Sequence, residues 1–455
     1  MTKANTYKYL HWVSLSNLIN WSVGYLLETE FGYNNRYPLV PLSVFLSRNK
    51  TGIDIQDHLL YTRVTIRTLG MGITVRDKLY GEKIGTKKQF VIHSGQFLVS
   101  KIDARNGAFG VVPDEADGAV ITGNFWTFDV DTSKINPTYL TLLTSTKQFV
   151  LFAEKASNGT TNRHYLQENL FLDARIPLPS LEEQNAIVAA YENSISLAEQ
   201  YEHIVEKKKE DIENYILSRL EIKPHVSLKT KSQYLTFVHS KDIKEWGYDK
   251  ITGSNKNVLL SNTFENKPLI DLVFINPPNK TSLLPKDTPI SFIPMECISD
   301  IDGEWQERRY CPIQNSKGYT KFIDGDLLWA KITPCMQNGK SAIVRGLEHG
   351  LGCGSTEFHV LRGHDKNLKI EYLYILLRLS VVLQDAKKSF VGSAGQQRVP
   401  KSYLENFSIP VPPVKVQNEI VSHIFKLKEQ IKSLRALAAT TRTAAIKQFE
   451  QTIFE

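Results

Sequence analysis

Several chemistries are excluded by what this chain of 455 residues lacks. It has four cysteines, Cys297, Cys311, Cys335 and Cys353, and all of them lie in the second half. None forms a C-x-x-C pair, so neither a zinc site nor a secreted disulfide scaffold is expected, and the thiols read as reduced and mostly buried. No apolar run approaches the roughly 20 residues that a membrane span needs. The first residues, M-T-K-A-N-T-Y-K-Y-L, lack the apolar core of a signal peptide, so a cytoplasmic protein is expected. There is no G-x-x-x-x-G-K-[ST] loop and hence no sign of an ATP motor. The 11 histidines are scattered, and His164, His349 and His359 have no metal-ligand spacing.

What is present is ordinary globular composition, 42% hydrophobic and 23% charged, over a length that suggests roughly three domains. The informative stretch is Ile176–Leu220. It opens I-P-L-P-S-L-E-E-Q-N-A-I-V. Pro177 and Pro179 hold the preceding backbone extended, and Ser180 with Glu183 forms an S-x-x-E capping box. Val188, Tyr191, Ile195, Ala198, Val205, Ile212 and Ile216 then keep a three-four spacing, broken at Glu202 and Lys209. No Gly or Pro intervenes before Pro224, so one long helix is predicted. The phrase returns 233 residues later as I-P-V-P-P-V-K-V-Q-N-E-I-V, identical at seven of thirteen positions. It launches a second helical stripe of Ile420, Ile424, Leu427, Ile431, Leu434 and Ala438, but without a capping box, which predicts a less defined first turn.

Charge divides along the same lines. Leu181–Glu221 holds ten acidic against four basic residues, a net of −6, and Val414–Glu455 carries a net of +3. With +7 in total, the remaining, globular segments hold +10. Oppositely charged rods suit packing on each other, and basic globular parts suit a polyanion.

The repetition extends into the globular parts. Trp21–Tyr25 is loosely echoed by Trp246–Tyr248, Pro38–Leu42 by Pro268–Leu272, and G-Q-F-L-V-S-K101-I by G-D-L-L-W-A-K331-I. Phe128 and Val130 are matched with Phe358 and Val360, Tyr139-Leu140 with Tyr372-Leu373, and Arg163 roughly with Arg398. Strands are expected within Phe90–Ile102, Gly118–Val130 and Phe322–Ile332, and helices over Thr138–Ala153 and Glu371–Lys387. The expected fold is α+β: two homologous globular domains separated by two long antiparallel coiled-coil helices, a pseudo-twofold internal repeat. Its segments are residues 1–175, a helix over 176–223, residues 224–408 and a helix over 409–455.

This arrangement resembles the specificity (S) subunit of Type I restriction–modification systems. The resemblance is carried by the G-Q-F-L-V-S-K-I and G-D-L-L-W-A-K-I segments, by N-G-T-T-N-R and S-A-G-Q-Q-R, and above all by the paired P-x-P-x-x-x-x-Q lead-ins. It spans nearly the whole chain. It implies that each globular domain is a target recognition domain reading one half of a bipartite double-stranded DNA sequence, with the helices as spacer. It also implies two docked methyltransferase (M) subunits using S-adenosylmethionine, restriction (R) subunits using ATP and Mg, and no cofactor or catalysis on this chain.

Residue chemistry allows other readings. Ile275-Asn-Pro-Pro-Asn279 is similar to the N-P-P-aromatic motif of adenine methyltransferases, but Asn279 stands where the stacking ring belongs, which favours a Pro-rich turn. Gly350-Leu-Gly-Cys-Gly354 leads into a strand-like run rather than the helix a cofactor loop requires. A self-sufficient N6-adenine DNA methyltransferase is therefore the alternative, and a scaffold that binds no DNA is the third possibility. For DNA contact the candidates are Lys101, Arg105 and Asn106 in the first domain, and Lys331, Gln337, Asn338 and Lys340 in the second. Each group ends a predicted strand on an Asn-Gly loop. Arg and Lys can be bidentate to guanine, and Asn and Gln to adenine. Arg163, Gln396, Gln397 and Arg398 form a second tier.

Overall fold

Strand Phe97–Ser100 is buried along its whole length, and its side chains point alternately into two cores. Phe97 and Val99 join one cluster with Phe109, Phe128, Tyr139, Leu140, Leu143, Phe149 and Phe171. Leu98 joins another with Val64, Ile66, Ile92 and Ile121. The period of two thus places one sheet between a helical layer and a second sheet. Strand Leu327–Ala330 repeats the scheme, with Leu327 and Trp329 on the helical side and Leu328 toward the second sheet.

The protein is described by a computed structural model that covers residues 32–68, 72–160, 163–222, 258–279, 284–393 and 395–455. The Trp21–Tyr25 and Trp246–Tyr248 echo lies outside these residues, as does Pro224. The chain divides into two compact units. One is Met1–Gln200 with Ala438–Glu455; the other is Tyr201–Leu437. Each therefore holds one globular part and portions of both long helices.

In the first unit the central sheet runs Leu46–Asn49, Phe125–Val130, Phe97–Ser100, Phe109–Val111 in that order. A second sheet orders Gly52–Asp54, Lys88–Val91, Val120–Ile121, Leu60–Ile66 and Ile73–Tyr80. In the second unit the central sheet is Val273–Ile275, Phe358–Gly363, Leu327–Ala330, Ser341–Ile343. Its companion orders Arg309–Pro312, Pro289–Ile293, Leu351–Gly354 and Thr320–Ile323. In both companions a single parallel pair is flanked by antiparallel ones. The two sheets differ by one edge strand, Gly52–Asp54, which the first unit adds.

Hydrogen-bond register corrects the sequence alignment of the repeats. Leu42–Val44 corresponds to Leu269–Asp271, an offset of 227, so Pro41 rather than Pro38 is the partner of Pro268. Ser100 faces Phe125 as Ala330 faces Phe358, so Phe358 answers to Phe125 and not to Phe128. The offset grows from 227 through 230 to 233 because the second domain has longer loops between equivalent strands. Similar letters near a constant offset concealed those steps. Likewise each predicted helix is two: Pro137–Thr144 with Lys147–Lys155, and Ile370–Leu376 with Ser380–Lys388. In the first pair Thr146 accepts a hydrogen bond from Phe149 N at 3.3 Å, an N-cap that restarts the helix.

The central helix spans Leu181–Arg219 and the C-terminal helix Val414–Phe454. The Ser180–Glu183 capping box forms: Ser180 Oγ accepts from Glu183 N at 3.3 Å, and Glu183 accepts from Ser180 N at 3.2 Å. The second helix has no such box, yet its first turn is well defined. Gln417 explains this. Fully buried, it accepts from Lys369 N at 2.9 Å and donates to Pro412 O and Asn367 O at 2.8 and 2.6 Å. Gln184 does the same with Asn136 N, Pro179 O and Lys134 O at 2.8, 2.9 and 3.1 Å. The glutamine of the P-x-P-x-x-x-x-Q phrase therefore clips each long helix to the loop before the first domain helix. Tyr139 and Tyr372 complete the joint, each donating to a lead-in proline carbonyl, Pro177 or Pro410, at 2.9 Å.

Within each unit the long helices run antiparallel. In the first, Val188 shares a cluster with Phe449 and Ile453. In the second, Lys208 donates to Gln430 at 2.8 Å and Arg219 pairs with Glu419 at 2.9 Å, so eleven residues forward on one helix are eleven backward on the other. Val188, Ala198, Val205 and Ile216 are buried, while Glu202 and Lys209 are exposed as the broken spacing suggests.

Candidate nucleic-acid interface

Three backbone-defined features meet at one end of the first central sheet: the residues after Leu46–Asn49, those after Phe97–Ser100, and those before Phe125–Val130. Lys101 sits at the centre. Its N–H donates to Asn124 O and its carbonyl accepts from Leu166 N, both at 2.9 Å. Arg105 and Asn106 follow in a short 3-10 turn closed by Gly107 at φ 75°, a left-handed position suited to glycine. Arg105 is half-buried and Asn106 exposed. Arg163 lies on the hairpin Ser157–Thr160/Arg163–Leu166, whose far strand reaches Lys101 through Leu166.

The same end of the second domain repeats the backbone scheme. Lys331 N donates to Glu357 O, and Lys331 O accepts from Val399 N, again at 2.9 Å. Ile332 bridges Arg398, and Thr333 N donates to Gln397 O at 2.9 Å, so Lys331 comes together with Gln396, Gln397 and Arg398. Arg398 is bidentate to Glu357, at 2.8 Å for both bonds, and this pairing holds the Glu357 carboxyl below its usual range. Gln396 is exposed. By register Arg398 answers to Tyr165 and Arg163 to Gln396. Gln337, Asn338 and Lys340 are less free. Gln337 accepts from Thr333 Oγ1 at 3.0 Å, Asn338 donates to Asp300 at 3.4 Å, and Lys340 donates to Met295 O at 3.2 Å.

Sequence reasoning did not single out Arg48, Lys50, Trp126 and Glu168. Lys101 Nζ lies 5.5 Å from the Trp126 ring centroid. Arg48 forms an ion pair with Glu168 at 3.2 Å and donates to Asn49 O and Thr127 O at 2.7 and 2.9 Å. Burial, then repulsion from Arg48 and, less, Lys50, lowers the Lys101 pKa against the attraction of Glu168. In the second domain Ile275, Pro277 and His359 stand where Arg48, Lys50 and Trp126 do, so the repeat gave no signal for them. A charge count of R-N-K at the strand end was the only cue available.

The enzyme-like motifs have structural employment. Asn276 Oδ1 accepts from Val360 N at 2.9 Å, and Asn279 accepts from Arg362 and donates to Lys321 O, both at 2.6 Å. The Gly-rich run is strand Leu351–Gly354, where a Cβ on Gly352 would collide with Phe322 and one on Gly354 with the Ile293 carbonyl. Cys297 and Cys353 are buried, and Cys311 and Cys335 half-buried, all four free. Among the described residues no helix is long and apolar enough to cross a membrane.

A profile of the Type I restriction modification DNA specificity domain matches residues 44–214 and 309–440. The chain belongs to that family. The first match spans the whole sheet pair of the first domain, and the second takes in that of the second domain from Arg309 onward, beyond its strands Val273–Ile275 and Pro289–Ile293. Among curated relatives, the chain is 38% identical over 179 residues to the Type I restriction enzyme EcoEI specificity subunit of Escherichia coli, covering 39% of this chain and 30% of that protein. It is 35% identical over 198 residues to the EcoAI specificity subunit of the same organism, covering 43% of this chain and 33% of that one. The matched segments thus span about a third of these relatives' length. A solved chain described for complex assembly and conformational transition of the type I R-M system aligns at TM-score 0.54 and 18% identity, over 92% of this chain and 97% of that one. That likeness speaks to the fold alone.

Proposed function

We propose that this chain is the non-catalytic DNA-recognition subunit of a cytoplasmic Type I restriction–modification complex. Residues 1–175 and 224–408 act as target recognition domains, each reading one half of a bipartite site, and the helical segments 176–223 and 409–455 hold them apart. Lys101, Arg105, Asn106 and Arg163 contact one half-site; Lys331, Gln337, Asn338, Lys340, Gln396, Gln397 and Arg398 contact the other. Two methyltransferase subunits, with S-adenosylmethionine, and restriction subunits, with ATP and Mg, dock on this chain and supply the chemistry.

One observation carries the reading. The same backbone scheme presents a lysine and a polar loop at the same sheet end in both domains, while the surrounding side chains differ. Two unlike readers on one scaffold suit two unlike half-sites, since base contacts specify while the scaffold positions. The test is a genome-wide map of N6-methyladenine with and without this gene. Loss of methylation at one interrupted motif is expected; an unchanged map, or loss at a continuous motif, would overturn the reading.

A further inference from the structure

The end of the first domain's central sheet carries more cation than its own carboxylates neutralise. Arg48 and, less, Lys50 repel the Lys101 ammonium, with Glu168 as the opposing charge. Glu168 is already engaged by Arg48 at 3.2 Å. Among the described residues Lys101 has no carboxylate of its own; its half-buried ammonium rests over Trp126. Lys50 is exposed beside it. A half-desolvated ammonium crowded by two other cations is poorly suited to lie idle, because each neighbour raises the cost of its charge. An incoming anion reverses that cost. The geometry also limits what Lys101 can read: its backbone is tied at both N–H and C=O into the sheet end, ahead of the Arg105–Asn106 turn in the chain. Recognition needs such fixed grips, since phosphate contacts set the register in which base readers work.

The second domain has the equivalent lysine in a different setting. Lys331 keeps both backbone bonds. Its neighbouring charges are largely spoken for, Glu357 by Arg398 and Lys401 by Glu405 at 2.8 Å. His359 replaces the tryptophan and is buried.

We propose that Lys101, with Lys50 and Arg48, seats a backbone phosphate of duplex DNA, and that Lys331 forms the equivalent, less charged seat in the second domain. The seat rests on the reading of the chain as a DNA-recognition subunit. It assigns Lys101 to the sugar–phosphate chain and leaves base edges to Arg105 and Asn106.

The experiment uses the full-length chain and two duplex probes. One is selected by the wild-type chain from a randomised pool, and the other is the unselected pool. Binding is measured across about 50–200 mM salt, where phosphate contacts dominate the salt dependence. Lys101→Met keeps the aliphatic stem over Trp126, and Lys50→Met alters an exposed residue; thermal melting checks both folds. Each variant is expected to weaken both probes by the same several-fold factor. Each should flatten the slope of log affinity against log salt by about 0.9, with the selected sequence unchanged. Lys331→Met should do the same with a smaller loss. An unchanged slope in Lys101→Met, or an altered base preference, overturns the seat while the recognition reading stands. If Lys101→Met melts early, Lys50→Met alone decides on the same criteria. A wild-type chain that binds neither probe sinks the recognition reading, and the seat with it.

Discussion

Position 96 in the first domain and position 326 in the second occupy the same place before equivalent strands, yet they are built differently. Gln96 donates to Asp129 at 2.6 Å and accepts from His93 N at 2.8 Å. Asp326, almost wholly buried, is bidentate to Arg362 with both bonds at 2.7 Å, and it also accepts from Ile323 N at 2.8 Å. Both solutions satisfy the same turn. The backbone bonds around Lys101 and Lys331, and the glutamine clips, are by contrast repeated nearly bond for bond. The two domains therefore teach that the shared part of the repeat is its backbone hydrogen bonding and the glutamines that clip that backbone. Side-chain electrostatics were free to diverge wherever the turn could be satisfied another way.

The largest test of that contrast is Asp326→Ala, which takes the buried carboxylate from the half-buried Arg362 guanidinium, leaving it Asn279 alone, and should cost about 4 kcal/mol. Gln96→Ala loses hydrogen bonds without taking a carboxylate from a half-buried cation and should cost about 2 kcal/mol. Hydrogen exchange on the amides of each central sheet reads the two losses separately, and equal losses would break the contrast. Next are Gln184→Ala and Gln417→Ala. Each leaves three backbone partners unmet, one buried and two half-buried, so each should cost about 3 kcal/mol in its own unit. Unequal costs would show that the clips are alike in geometry only.

Acid should separate the domains as well. Burial among cations pushes the His359 pKa down to about 4, with its bond to Val399 O opposing the shift. Its unfolded value is about 6.5. The unfolded state therefore takes up the proton first, and stability present above pH 6.5 is lost as pH falls toward 4, by about 3 kcal/mol. Trp126 occupies the matching place in the first domain and does not titrate. Exchange in the second domain's sheet should accelerate over that window more than in the first. His359→Gln should remove the difference; its persistence would place the acid sensitivity elsewhere.

The smallest expected effect concerns readout. Arg105→Ala should cost about 2 kcal/mol against the selected duplex and relax one position in one half-site only. Asn338→Ala, in the corresponding loop, should cost less, since Asn338 is already engaged with Asp300 at 3.4 Å. Binding selection with each variant would sharpen the comparison; a larger loss at Asn338 would reverse it.

Much of this was legible in the letters. The P-x-P-x-x-x-x-Q phrase marked both helix starts, and the three-four spacing marked the stripes that are buried. The lysines at 101 and 331 were legible because the whole strand before them repeats. Arg48, Lys50, Trp126 and Glu168 were not, because they are far apart in sequence and have no repeat counterpart of the same type. Their convergence depends on which strands pair, and pairing couples residues that no local pattern connects.

Sequence alone determined the duplication, the two helices with their lead-ins, and the absence of a motor loop. These follow from periodicity and backbone stiffness, which act over a few residues at a time. Tertiary structure decided the true offset between the repeats, the glutamine clips that replace a missing capping box, and which cations stand without a carboxylate. Those depend on hydrogen-bond register and burial, and both are set only when distant strands and helices have closed on one another.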